Sequence, residues 1–256
     1  MKRMPAFFRF ILAAALLTVS YAGSAHAAEE LIVSAAASLT NAFGEIATKF
    51  EAANPGVKVV TNFGASGALL QQIDKGAPVD VFATADQKTM NDAAEKKLID
   101  PGTRKDFARN GLALVVPRGN AAKVASLKDL ARKEITRIAV GNPQTVPAGR
   151  YAKEALTHEG LWDELTPRYV LGESVRQVLD YVSRGEVDAG FVFTSDAAAA
   201  KGKVEVAAGV GNHSPILYPI AGVASAEKKA LARKYIDYVL SAEGMAVLAG
   251  FGFEKP

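Results

Sequence analysis

The 256-residue chain contains no cysteine. That excludes disulfides, Cys/His metal clusters and anchoring through a lipidated N-terminal cysteine. Histidine is nearly as scarce: only His26, His158 and His213 occur. None of them belongs to an H-E-x-x-H helix, and there is no G-x-S-x-G elbow to supply a nucleophile. A hydrolase therefore lacks its usual nucleophile–base or metal constellation. No apolar run reaches the roughly 20 residues needed to cross a bilayer. No cluster of Lys and Arg interleaved with aromatics appears either, so the chain carries no nucleic-acid footprint.

What is present begins at the N-terminus. Lys2, Arg3 and Arg9 precede the apolar run Phe10 to Val19, and Ala25-His26-Ala27 follows. This is a basic segment, a short apolar segment and an A-x-A cleavage site, the layout of a secretory signal peptide spanning residues 1–27. Removing it takes three bases from the 30 Lys and Arg and leaves 27 of each sign. The basic character of the precursor thus says nothing about partners. Export without disulfides fits a periplasm.

Past residue 27, strand-like and helix-like segments alternate. Leu31–Val33, Val57–Asn62 and Val79–Ala83 read as strands. Leu39–Glu51, Gly67–Lys75 and Lys88–Leu98 read as helices, the first with Leu39, Ala42, Phe43, Ile46, Ala47 and Phe50 at helical spacing. Leu112–Val116 starts a new strand. Helix-like Leu127–Arg132, strand Arg137–Val140 and helix Gly149–Glu159 follow. Then come strand Arg168–Leu171, helix Ser174–Ser183 and strand Ala189–Phe193. Leu217–Val223 returns as a strand before two closing helices, Ala226–Leu240 and Ala242–Ala249. The alternation predicts an α/β fold with mainly parallel sheets flanked by helices. The expected division is a first lobe of residues 28–111 and 217–256 and a second lobe of residues 112–216.

Four junctions place small or hydroxyl residues where a strand or loop gives way to a helix: Ala36-Ala37-Ser38-Leu39, Gly64-Ala65-Ser66-Gly67, Val146-Pro147-Ala148-Gly149 and Glu173-Ser174-Val175-Arg176. The first turn of a helix leaves backbone N–H groups unpaired, and the macrodipole adds partial positive charge there. An anion binds at such a point without a cationic side chain. The competing reading is plain N-capping, which stabilises a helix by about 1 kcal/mol. The small neighbours Ala37, Gly64, Gly67 and Gly149 would allow close backbone approach.

The segments AAASLTNAF, FGASGALLQQI, GAPVDVFATADQKTM, AVGNPQTVPAGRYAKEAL, ESVRQVL and SDAAA, with YPIAGV near the end, resemble the periplasmic molybdate-binding proteins of ABC importers over nearly all of the chain past residue 27. The resemblance implies a two-lobed periplasmic binding protein fold closing on one molybdate or tungstate, with no cofactor and no catalysis. It implies ligand serines at Ser38 and Ser66, acting through hydroxyl and backbone N–H, and backbone N–H ligands at Ala148 and Val175. These hold molybdate by hydrogen bonds, not by direct coordination of the metal. One position departs: the family's tyrosine hydroxyl falls on Phe193, which has no donor, so a hydrogen bond to a charged group worth about 1.5–3 kcal/mol is missing. Thr194 or a water is the stand-in to consider. The implied partners are the permease subunits of an importer, with Asp86, Asp92 and Glu95 as carboxylates for docking, and the implied state is a monomer. Because molybdate is fully deprotonated, a site of donors alone suits it, whereas hydrogen phosphate needs an acceptor. Glu173 is the only acid near the four junctions, and its bland reading is a charge favouring its own helix start. A sulfate or other oxyanion receptor, a sensory module on the same fold and a periplasmic hydrolase are the alternatives.

Overall fold

The computed structural model describes residues 28–256; the signal peptide expected over residues 1–27 lies outside them. The chain first lays down β1 (Glu29–Ala36), α1 (Thr40–Ala53), β2 (Val57–Gly64), α2 (Ser66–Asp74), β3 (Val81–Ala83), α3 (Gln87–Glu95) and β4 (Lys105–Arg109). It then crosses through Asn110 and Gly111. The second set is β5 (Leu112–Pro117), β6 (Ile138–Gly141), α4 (Pro147–His158), the one-turn α5 (Trp162–Leu165), β7 (Tyr169–Gly172), α6 (Val175–Ser183), β8 (Ala189–Phe193), α7 (Thr194–Ala199) and β9 (Val204–Val210). The chain returns to add β10 (Leu217–Gly222), α8 (Lys229–Leu240) and α9 (Ala242–Gly250).

The described residues form two five-stranded sheets, ordered β2-β1-β3-β10-β4 and β7-β6-β8-β5-β9. In each, four strands run one way and a single strand opposes them: β10 in the first sheet, β5 in the second. Each reversed strand is the one the chain enters directly after crossing between sheets. The two lobes are therefore built on one plan, and each holds a mainly parallel sheet flanked by helices.

Packing follows the helical spacing. Ala42, Phe43, Ile46, Ala47 and Phe50 form the buried face of α1. Phe43 meets Phe107 at 5.6 Å between ring centroids, and Phe50 meets Tyr235 edge-on at 5.1 Å. In the second lobe, Val175, Val178, Leu179 and Val182 of α6 are buried. Each such side chain contributes roughly 1.5–3 kcal/mol by leaving water. Because the parallel strands share a direction, their C-terminal ends share an edge, and the next helix starts there. That edge is where open α/β sheets bind ligands.

Candidate functional site

β1 ends at Ala36 and turns through a 3-10 turn, Ala37–Leu39, into α1. β2 ends at Gly64, and α2 opens at Ser66. In the second lobe β6 leads through a turn at Asn142 to α4, which opens with Pro147 and Ala148, and β7 leads to α6, which opens at Val175. The structure brings all four starts to one small cavity between the lobes. Ser38 and Ser66 line it from one side and Ala148 and Val175 from the other, with Ala85 and Phe193 between. Measured to the centres of water-sized spheres it holds about 10 Å³, roughly one such sphere.

Ser174 is a true N-cap, its Oγ accepting from the Gln177 N–H at 3.2 Å. Ser38 and Ser66 are not: the N-caps of α1 and α2 are Leu39 and Ala65, and neither helix has a side-chain cap. Both serines are buried, at 2% and 0% exposure. The Ser66 Oγ accepts from the Ala85 N–H at 3.1 Å, and the Ser38 Oγ lies 2.9 Å from the Tyr218 hydroxyl. The N–H groups of Ser66, Ala148 and Val175 are first-turn donors with no intrahelical acceptor.

Among the described residues, no charged side chain lines the cavity. Two arginines stand just outside it, each paired with a carboxylate. Arg150 of α4 reaches across to Asp86 of the first lobe, with Nε to Oδ2 at 2.7 Å, and donates to Thr89 Oγ1 at 2.8 Å. Arg176 of α6 lies 2.7 Å from the buried Asp196 and donates to the Ser38 carbonyl across the gap at 3.4 Å. Burial pushes the Asp196 carboxyl up to about 6, although Arg176 pulls the other way. Burial likewise raises the Tyr218 phenol well above its ordinary range, so it stays a neutral donor.

Residues 31–254 match the family described as bacterial extracellular solute-binding protein. The chain belongs to that family. Among the relatives of this solute-binding protein is the molybdate-binding protein ModA of Escherichia coli (strain K12), 40% identical over 249 residues, 95% of this chain and 96% of that one. ModA of Haemophilus influenzae is 34% identical over 94% of this chain and 96% of its own length. Among solved structures, the periplasmic molybdate-binding protein of Azotobacter vinelandii matches with a TM-score of 0.77 at 28% identity, covering 88% of this chain and 99% of that one. The sulfate-binding protein SubI of Mycobacterium tuberculosis also reaches 0.77, at 18% identity over 89% of this chain and 87% of that one, a likeness of fold alone. Each of these proteins is named for the oxyanion that it binds.

Several sequence expectations need correcting for this solute-binding protein. Thr194 is exposed and its hydroxyl donates to Asn110 Oδ1 at 2.7 Å, so it does not turn into the cavity to replace a hydroxyl at Phe193. Phe193 lines the cavity at 1% exposure and stacks edge-on against Tyr218 at 5.7 Å. Asp86 is no docking carboxylate, because it is 3% exposed and held by Arg150. Gly67 and Gly149 do allow close approach, but to Thr145 and Gly141. Glu173 is exposed and outside the cavity. His213 is hydrogen-bonded between the Val210 and Ser214 carbonyls, and His158 sits in the last turn of α4; neither meets a candidate nucleophile. Sequence reasoning missed Tyr218, Asn110, Arg150 and Arg176. Tyr218 lies in the expected strand Leu217–Val223, where nothing marks it apart from its neighbours, and Asn110-Gly111 carries only the composition of a turn.

Proposed function

We propose that this protein captures molybdate, and tungstate with it, in the periplasm and delivers it as a monomer to the membrane permease of an ABC importer. The observation that carries the reading is the pair of buried serine hydroxyls that cap no helix, facing first-turn N–H groups of the other lobe across a cavity without a carboxylate. Ser38, Ser66, Ala148 and Val175 are its ligands. Such a site offers donors and no strong acceptor, which suits a dianion without protons and disfavours hydrogen phosphate. Sulfate is the smaller tetrahedron, so in a cavity shaped to molybdate its oxygens fall short of some of the donors. The molybdate-binding relatives support the same choice.

Binding in this reading is closure of two bodies, residues 28–111 with 217–256 against residues 112–216, about the crossings at Asn110-Gly111 and between Val210 and Leu217. Each lobe supplies two of the four ligand residues, so the anion is fully coordinated only when the lobes meet. The closed form is what the permease reads, and the signal peptide directs export.

Calorimetry against molybdate, tungstate, sulfate and phosphate in one buffer tests the reading. Molybdate and tungstate should bind far more tightly than the other two, and sulfate binding as tightly as molybdate would overturn it. Ser38→Ala and Ser66→Ala should each weaken molybdate by roughly ten- to hundredfold, the worth of a hydrogen bond to a charged group. Unchanged affinity would remove those serines from the site.

A further inference from the structure

The hydrogen-bond chain behind Ser38 has a direction that can be read without seeing a proton. Asn110, in the first crossing, receives the Gly111 N–H on Oδ1 at 3.0 Å and the Ser195 N–H at 3.4 Å, together with the Thr194 hydroxyl. A backbone N–H only donates, so Oδ1 is the acceptor end of the amide and Nδ2 is the donor end. That Nδ2 faces Ser195 Oγ at 2.8 Å and the Tyr218 hydroxyl at 3.2 Å. The Tyr218 oxygen therefore accepts from Asn110. Its single proton then goes to the Ser38 Oγ at 2.9 Å. Tyr218 is fully buried, and pointing that proton elsewhere would strand it among the rings of Phe107, Phe193 and Phe253.

We infer that Tyr218 and Asn110 are positioning residues that fix the polarity of Ser38: the serine oxygen accepts from Tyr218, leaving its own proton for the cavity. Ser66 is set the same way by the Ala85 N–H on its oxygen. Each oxygen then has one lone pair engaged from behind and its hydrogen free for the ligand, so a ligand carrying a proton is served less well than one that only accepts. The phenol at Tyr218 does not line the cavity and acts at one remove. The polarity is coupled to the lobes as well, because Asn110 ties Tyr218 of β10 to Ser195 and Thr194 at the start of α7.

The inference rests on the oxyanion reading above, and the test separates the two. Calorimetry on Tyr218→Phe should show molybdate binding weakened by roughly three- to tenfold, about one net hydrogen bond. Hydrogen phosphate at pH 8 should weaken less or tighten, because a freed Ser38 can turn and accept. In a Ser38→Ala background, Tyr218→Phe should cause no further loss, since its effect passes through Ser38. Asn110→Asp keeps the acceptor for Gly111 and Ser195 but lets Tyr218 donate to the carboxylate, and should shift the molybdate-to-phosphate ratio in the same direction even if Tyr218→Phe folds poorly. Tyr235→Phe serves as the control, since that hydroxyl is buried without a partner; it should bind like wild type. Equal proportional losses of both anions, or additive losses with Ser38→Ala, would overturn the inference while leaving the function standing. Wild-type protein that binds no molybdate would overturn the function and the inference with it.

Discussion

Asp196 has both carboxylate oxygens out of reach of water, and the Arg176 guanidinium stands 2.7 Å from one of them. Desolvation outweighs the attraction, so the carboxyl titrates near 6 in the folded protein instead of near 3.8. Between those values the folded chain holds a proton that the unfolded chain has lost. The contribution of Asp196 to stability is thus greatest below the lower value and falls as pH rises through about 6. Asp196→Asn should remove that slope. Urea unfolding of both proteins from pH 4 to pH 7 should show the variant gaining on wild type up to about pH 6 and then running level; parallel curves throughout would refute the assignment. The same residue scale separates serines that look alike in sequence. Ser174 caps a helix while Ser38 and Ser66 do not, and the difference lies in where each helix begins relative to its serine.

Among elements, α4 depends on how closely its first turn approaches the end of β6. A Cβ added at Gly149 would lie 1.8 Å from the Gly141 carbonyl oxygen, so the helix could not stay seated on the sheet. Gly149→Ala should cost roughly 1–3 kcal/mol or more, read as a clear fall in melting temperature without ligand; an unaltered melt would show that α4 shifts freely. Strongly periodic or continuous apolar elements were legible before folding, and α1 has the buried face its spacing implies. Two strands were not. β4 and β9 are sheet edges with mostly exposed or half-buried residues, so one face meets solvent and the chain carries charge where a central strand would be apolar. Leu127–Ala131 became a 3-10 turn instead of an α-helix, being too short to sustain one. Thr194-Ser195-Asp196, which follows the strand Ala189–Phe193, opens the short helix α7.

At the scale of the molecule, polar contacts join the lobes beside the Asn110 cluster and the Phe193–Tyr218 ring pair. The Gly67 N–H donates to the Thr145 carbonyl at 2.9 Å, Arg150 spans to Asp86, and Arg176 reaches the Ser38 carbonyl. Gly67 has no room for a side chain: a Cβ would stand 2.8 Å from Thr145 Cα and 2.9 Å from its oxygen. That clash exists only where the lobes touch. Gly67→Ala should therefore leave the ligand-free melting temperature unchanged or slightly higher, since alanine favours helix. Molybdate affinity should fall by roughly tenfold or more, the effect of a misfit of about 1.4 kcal/mol or greater, and scattering should show less compaction on adding molybdate. Full affinity with full compaction would show that closure does not use this contact.

The alternation of strands and helices, the apolar faces that seat them, and the four helix starts with their small residues are legible along the chain, because those properties depend on neighbours within a few positions. Folding alone brings the four starts to one cavity, leaves two of their serines capping nothing, and pairs both nearby arginines. It also set Tyr218 and Asn110 behind Ser38, from positions 180 and 72 residues away along the chain. Those outcomes depend on which sheet each strand joins and on how the two sheets face each other, and such long-range pairing leaves no periodicity in the residues that take part.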